Sequence, residues 1–156
     1  MIELNIPGAE PLQIQHMVMD YNGTLAIDGQ LLEGVASQLN RLAALVQLHI
    51  VTADTFGLAG RQLAGLPCQL SVLPAGQQAR AKQDYVRELG AQHCVAIGNG
   101  RNDRLMLREA AIGIVLLQAE GAAVPSVEAA DIVCRDILDA LALFVEPRRL
   151  IATLRD

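Results

Sequence analysis

Short apolar runs alternate with stretches of helical period from one end of this chain to the other. The runs at 2–6, 13–19, 48–51, 69–73, 94–97, 112–117 and 131–134 have the length of buried strands. Between them, apolar residues recur three and four apart, most plainly at Val35, Leu39, Leu42, Leu45 and Val46. The spacing predicts helices over 33–46 and 56–66, from Pro74-Ala75-Gly76 to Leu89 with Gly90 as C-cap, over 102–111 and 136–145, and from Pro147 onward. Strands that alternate with helices on short connections must lie parallel, because each crossover returns the chain to the same edge. The expected fold is α/β, a three-layer, doubly wound, mainly parallel sheet, with residues 1–156 forming one domain.

The amino-acid content agrees. Apolar residues make up 52% of the chain with no Trp, two Tyr and two Phe, so Ala, Val, Leu and Ile must build a core covered on both faces of the sheet. A formal net charge of −5 argues against nucleic acid or an anionic membrane as the main partner. No apolar stretch approaches the roughly 20 residues of a membrane span. The first residues lack the basic-then-apolar pattern of a secretory signal, so a cytoplasmic location is expected. Cys68, Cys94 and Cys134 are widely spaced without a CxxC, which fits buried free thiols better than disulfides or zinc. A mean hydropathy of +0.31 suits a homo-oligomer.

Three strands run directly into polar stretches: Asp20-Tyr21-Asn22-Gly23-Thr24, Thr52-Ala53-Asp54 and Asn99-Gly100-Arg101-Asn102-Asp103. A parallel sheet collects all three at its carboxyl edge, where open α/β sheets keep their chemistry. A cation reaching that edge from the helix before 94–97 completes the set. Arg80, Lys82 and Arg87 all lie on that helix, on a face that reads as solvated, and spacing does not choose among them. A carboxylate, a hydroxyl, a cation and a second acid form an inventory for phosphoryl transfer, in which positioning and charge neutralisation do most of the work.

In this order the stretches resemble the haloacid dehalogenase (HAD) superfamily. Asp20-Tyr21-Asn22-Gly23-Thr24-Leu25 is similar to the DKTGTL loop of the P-type ATPases in that superfamily, Thr52-Ala53-Asp54 to their TGD, and Gly98-Asn99-Gly100-Arg101-Asn102-Asp103 to their GDGxND. The resemblance spans roughly residues 14 to 135. It implies a HAD-like Rossmannoid fold and a Mg²⁺-dependent phosphohydrolase or phosphoryl-transfer enzyme acting on a phosphorylated small molecule or protein. Asp20 is implied as the nucleophile that becomes an aspartyl phosphate. Thr52 and Lys82 are implied on the phosphoryl oxygens, with Gly23 and Asn102 beside the phosphate. Asp20, the Asn22 carbonyl and Asp103 are implied as Mg²⁺ ligands, with Asn99 as a further or water-mediated one.

Two residues depart from the family pattern. HAD phosphatases place a second Asp two residues after the nucleophile, where it protonates the leaving group; this chain has Asn22. General acid–base help is worth roughly 10²–10⁴-fold, so ordinary monoesters are expected to turn over slowly and activated phosphoryl donors better. Asn99 replaces an Asp, which lowers the expected Mg²⁺ affinity. Both departures favour a rival reading, a catalytically lapsed HAD domain serving as a binding or regulatory module. A receiver-like phospho-acceptor is disfavoured because no acidic pair precedes Asp20. Only 25–51 separates the first two motifs and 54–82 the second from Lys82, leaving no room for a cap or a nucleotide-binding insert.

Simpler roles are expected elsewhere. Asp54 is best read as an N-cap for a helix starting at Thr55 or Phe56. His16, His49 and His93 show no metal-ligand spacing, and Arg61, Arg101 and Arg104 are read as solvated.

Overall fold

A computed structural model describes residues 1–54 and 57–156. In chain order its strands are β1 (Ile2–Leu4), β2 (Leu12–Ile14), β3 (His16–Met19), β4 (Ala26–Ile27), β5 (Gln30–Leu31), β6 (Gln47–Thr52), β7 (Gln69–Val72), β8 (Cys94–Gly98), β9 (Ile112–Leu116) and β10 (Ile132–Cys134). The helices are α1 (Val35–Leu42), α2 (Ala59–Gln62), α3 (Gln78–Leu89), α4 (Arg104–Glu109), α5 (Val124–Val127), α6 (Ile137–Val145) and α7 (Pro147–Leu154), with 3₁₀ turns at Ala91–His93 and Arg101–Asp103.

Six strands form one sheet in the order β10-β9-β8-β3-β6-β7, and every neighbouring pair is parallel. The chain therefore starts the sheet at its centre, winds outward through β6 and β7, then returns to the other side of β3 through β8. That reversal puts the switch point between β3 and β8, where a crevice opens beyond the strand ends.

Alternation along each strand sends side chains to two cores. Met17, Met19, Ile50, Ile97 and Ile114 share one with Val35 and Leu39 of α1 and Leu141 and Phe144 of α6. Val18, Val51, Ala96 and Val115 share the other with Val86 of α3 and Met106 and Leu107 of α4. The result is the expected three layers. His49 is buried on the second face, where one ring nitrogen meets Tyr85 Oη at 3.0 Å and the other meets His16 at 3.2 Å. Burial, and then the nearby His16 ring, push His49 down to about 4, so it packs as a neutral ring.

Local chemistry accounts for the differences from the sequence expectation. The segment after Thr24 is not simply a turn leading to a helix. Asp28 and Gly29, both at positive φ, close the two-residue hairpin β4–β5, which Tyr21 anchors by donating its hydroxyl to the Gly29 carbonyl at 2.9 Å. The third helix starts at Gln78 rather than Pro74, since Gly76 and Gln77 both take positive φ. The second is α2 alone; its expected start at Thr55 or Phe56 lies outside the described residues. Pro147 opens α7 and Asp136 caps α6 by accepting from Asp139 N. The short α5 was not expected.

Gly113 lies beneath α4, and a Cβ there would collide with the Leu107 carbonyl. Gly113→Ala should thus force α4 off the sheet and lower the unfolding free energy by about 3 kcal/mol, measured by urea denaturation.

Candidate active site

The three polar stretches converge beyond the strand ends at the switch point. Asp20 follows β3 and stays in the sheet pattern by donating its N–H to the Ile97 carbonyl at 3.0 Å. The Tyr21 carbonyl then accepts from the N–H groups of Thr24, Leu25 and Ala26, winding the loop into a tight turn. Gly23 is required in that turn. Its φ is +82°, and a Cβ would strike the Asn99 amide and the Glu120 carboxylate. Across the switch point, both the Asn99 and the Gly100 N–H donate to Asp103 Oδ2, at 2.9 and 2.8 Å.

Lys82 joins these two loops. From α3 it donates to Asp20 Oδ1 at 2.6 Å and to Asp103 Oδ1 at 2.7 Å, and it is fully buried. The solvated face expected for this helix holds for its charged neighbours but not for Lys82, which points into the sheet layer with Val86. Among the three basic candidates on α3, Lys82 is the one brought to the carboxylates. Burial works against its charge, but Asp103 and Asp20 more than offset this and hold it protonated. Burial first, and Asp103 second, raise Asp20 to about 7 despite the pull of Lys82. Two carboxylates thus face one ammonium, and a further positive charge beside Asp20 would favour its ionised form.

The remaining residues surround a cleft of about 210 Å³ lined by Asp20, Asn22, Thr52, Asn99, Asn102 and Glu120. Larger grooves of about 410 and 430 Å³ lie along Leu66–Gln69 and near Met1, but they lack converging charged groups. Thr52 ends β6 and accepts from the Asp54 N–H at 3.0 Å. Asp54 itself accepts from the Leu58 and Ala59 N–H groups, at 3.1 and 3.0 Å, and so ties down the first turn of α2 from four residues before its N-cap position, Leu58. Asn102 donates to Gln78 Oε1 at 2.9 Å. Asn22 Oδ1 is buried with no hydrogen-bond partner among the described residues.

The donors at this edge are all oxygens: Asp20, Asp103, the amides of Asn22 and Asn99, and nearby backbone carbonyls. Among the described residues no three His, Cys, Asp or Glu side chains are close enough to hold a metal by themselves. Mg²⁺ does not need three, since it is ordinarily held by one or two carboxylates plus water. The orphaned Asn22 oxygen and the surplus acid charge fit such a hard cation.

The loop after β9 also shapes this site, and its residues were not singled out in the sequence. Gln118 Nε2 donates to the Gly23 and Thr24 carbonyls, both at 2.9 Å, while its Oε1 accepts from Ile137 N at 2.8 Å. Ser126, on the α5 helix that follows this loop, donates to the Gly100 carbonyl at 2.6 Å. Glu120 reaches the cleft from the same loop. Nothing in spacing marks these residues, because they follow a strand that carries no motif.

No family model matches the chain. An uncharacterised protein of Methanocaldococcus jannaschii is 41% identical over 85 residues, 52% of this chain and 91% of that protein. A phosphoserine phosphatase of Haemophilus influenzae is 33% identical over 75 residues, which is 47% of this chain but only 24% of that enzyme. Among solved structures, a 3-deoxy-D-manno-octulosonate 8-phosphate phosphatase of Moraxella catarrhalis, in complex with magnesium and phosphate ions, superimposes with a TM-score of 0.66 at 20% identity, covering 91% of this chain and 94% of that one. A Legionella pneumophila structure assigned to subfamily III A of the HAD hydrolases gives a TM-score of 0.72 at 17% identity, covering 90% and 86%.

Removing Lys82 would leave two carboxylates facing each other in a buried place. Lys82→Met should lower the unfolding free energy by about 3–5 kcal/mol at neutral pH. An acid whose folded pKa exceeds its unfolded value destabilises the fold above that folded pKa and ceases to do so below the unfolded one. The gap between variant and parent should therefore narrow from pH 7.5 towards pH 4, measured by urea denaturation.

Proposed function

We propose, from a fold shared with haloacid dehalogenase superfamily phosphatases and from the order of its motifs, that this chain is a Mg²⁺-dependent phosphohydrolase of that superfamily working through a phosphorylated Asp20. The observation that carries this reading is the buried Lys82 ammonium between Asp20 and Asp103 at the switch point of the sheet. A buried ion cluster is costly for stability compared with apolar packing, and this one lies where a ligand enters.

In the proposed reaction a carboxylate oxygen of Asp20 attacks the phosphorus of a phosphorylated small molecule. The P–O bond to the leaving group breaks, and the leaving oxygen departs with its electron pair. Water then attacks the acyl phosphate, releases inorganic phosphate and restores the carboxylate. Lys82 holds one Asp20 oxygen so that the carboxylate cannot turn, and its charge opposes the negative charge gathered in the transition state. Thr52 and Asn102 line the cleft, where Thr52 would donate its hydroxyl to a phosphoryl oxygen and Asn102 would orient the group. Asp20, Asn22, Asp103 and Asn99 are the residues that would hold Mg²⁺, which would supply charge neutralisation.

The cleft volume supports a small phosphorylated group, with the rest of the substrate outside it. Asn22 cannot protonate a leaving oxygen, so donors with good leaving groups are favoured. The same residue supports the second reading, a site that binds phosphate without turnover.

Acetyl phosphate hydrolysis should be Mg²⁺-dependent, lost in EDTA, and reduced at least 10³-fold, roughly, in Asp20→Asn. Absence of turnover in a folded protein that binds Mg²⁺ would favour the binding module. Asn22→Asp supplies the absent acid and should raise p-nitrophenyl phosphate turnover by about 10²-fold while changing acetyl phosphate turnover far less, both read by phosphate release.

A further inference from the structure

Asn99 withholds a carboxylate from the cation-binding edge, and its amide has another use. Its Nδ2 donates to the Gly121 carbonyl at 3.0 Å, beside a backbone bond from Ala123 N to the Asn99 main-chain carbonyl at 2.9 Å. An aspartate at this position would turn an oxygen lone pair toward Gly121 O and lose that bond. The asparagine therefore fastens the loop between β9 and α5. Gln118 fastens the same loop to the Gly23 and Thr24 carbonyls, and the Gly121 N–H closes its turn onto the Gln118 carbonyl at 2.8 Å.

Between these attachments lies Glu120. Its carboxylate and the Asn99 amide occupy the space that a Cβ on Gly23 would need, and it lines the cleft with Asp20 and Asn22. No cation pairs with it among the described residues. Holding an exposed side chain of this length against the nucleophile loop serves no packing purpose.

We propose that Glu120 is the outer carboxylate of the cation site, carrying from the loop after β9 the negative charge that Asn99 lacks. The charge has moved from the β8 loop to a loop that Asn99 itself holds in place. This rests on the Mg²⁺-dependent reading above and deepens it by naming a carboxylate on the loop after β9, a strand without a motif. Glu120 contributes to cation affinity; Lys82 and Asp20 do not depend on it for their geometry.

Binding of Mn²⁺, followed by the loss of its free-ion electron paramagnetic signal and by Mg²⁺ competition, tests this without turnover. Glu120→Gln should weaken both ions about tenfold or more, at unchanged thermal midpoint. Glu128→Gln, which removes one charge from the C-terminal end of α5, should leave them within twofold. Adding Asn99→Asp to Glu120→Gln should recover most of the lost affinity, because the charge returns to the β8 loop. An affinity unchanged by Glu120→Gln, with parent binding and acetyl phosphate turnover intact, would overturn this inference and leave the phosphohydrolase reading standing. A parent protein that binds neither ion would overturn both.

Discussion

The pairing of one buried ammonium with two carboxylates organises the functional end of this molecule. Lys82 can be fully buried only because Asp20 and Asp103 both accept from it, and each carboxylate comes from a different loop at the switch point. The cluster ties α3 to the ends of β3 and β8, the two strands whose adjacency comes from the reversal in winding. Apolar residues of similar volume would pack there at lower cost. In the proposed reaction the arrangement would serve as a preorganised charge template, one whose groups are already oriented before a phosphoryl group and a cation arrive.

Much of this was legible in the sequence because strand alternation and motif order are local signals. The runs containing Met17–Met19, Ile50–Val51 and Val95–Ile97 announce strands buried on both faces, and the polar residues after each mark the carboxyl edge. Lys82 was harder to choose, since Arg80, Lys82 and Arg87 lie on one short amphipathic helix. Only the packing of α3 against β8 decides which of them turns inward. The hairpin β4–β5 escaped notice because two-residue strands carry no periodicity, and only the Asp28-Gly29 turn betrays it.

The loop after β9 was silent for a different reason. Gln118, Glu120 and Ser126 act on carbonyls and on space created by other loops, so their meaning exists only in three dimensions. Gln118 spends its whole amide group on three backbone atoms, two in the loop after Asp20 and one at the start of α6. A residue with that many backbone partners sets loop position without contacting a substrate.

The two asparagines that depart from the family pattern are therefore different in kind. Asn99 uses both ends of its amide, receiving the Thr24 hydroxyl at 3.4 Å on one side and donating to Gly121 O on the other. Its replacement of an acid exchanges a charge for a structural bond, and the exchange can be balanced from the loop it secures. Asn22 has no such exchange, for its oxygen is buried without a partner in the loop that follows Asp20. A buried acceptor left unpaired costs roughly 1–3 kcal/mol, a cost that a ligand bearing a donor or a cation would relieve on entering the cleft. Charge for holding a cation can thus come from a neighbouring loop, whereas a proton for the leaving group has no comparable source at Asn22. In the proposed reaction that asymmetry would separate the affinity of the site from its speed: the first could be kept with both asparagines in place, while the second would be set by how readily the leaving group departs on its own.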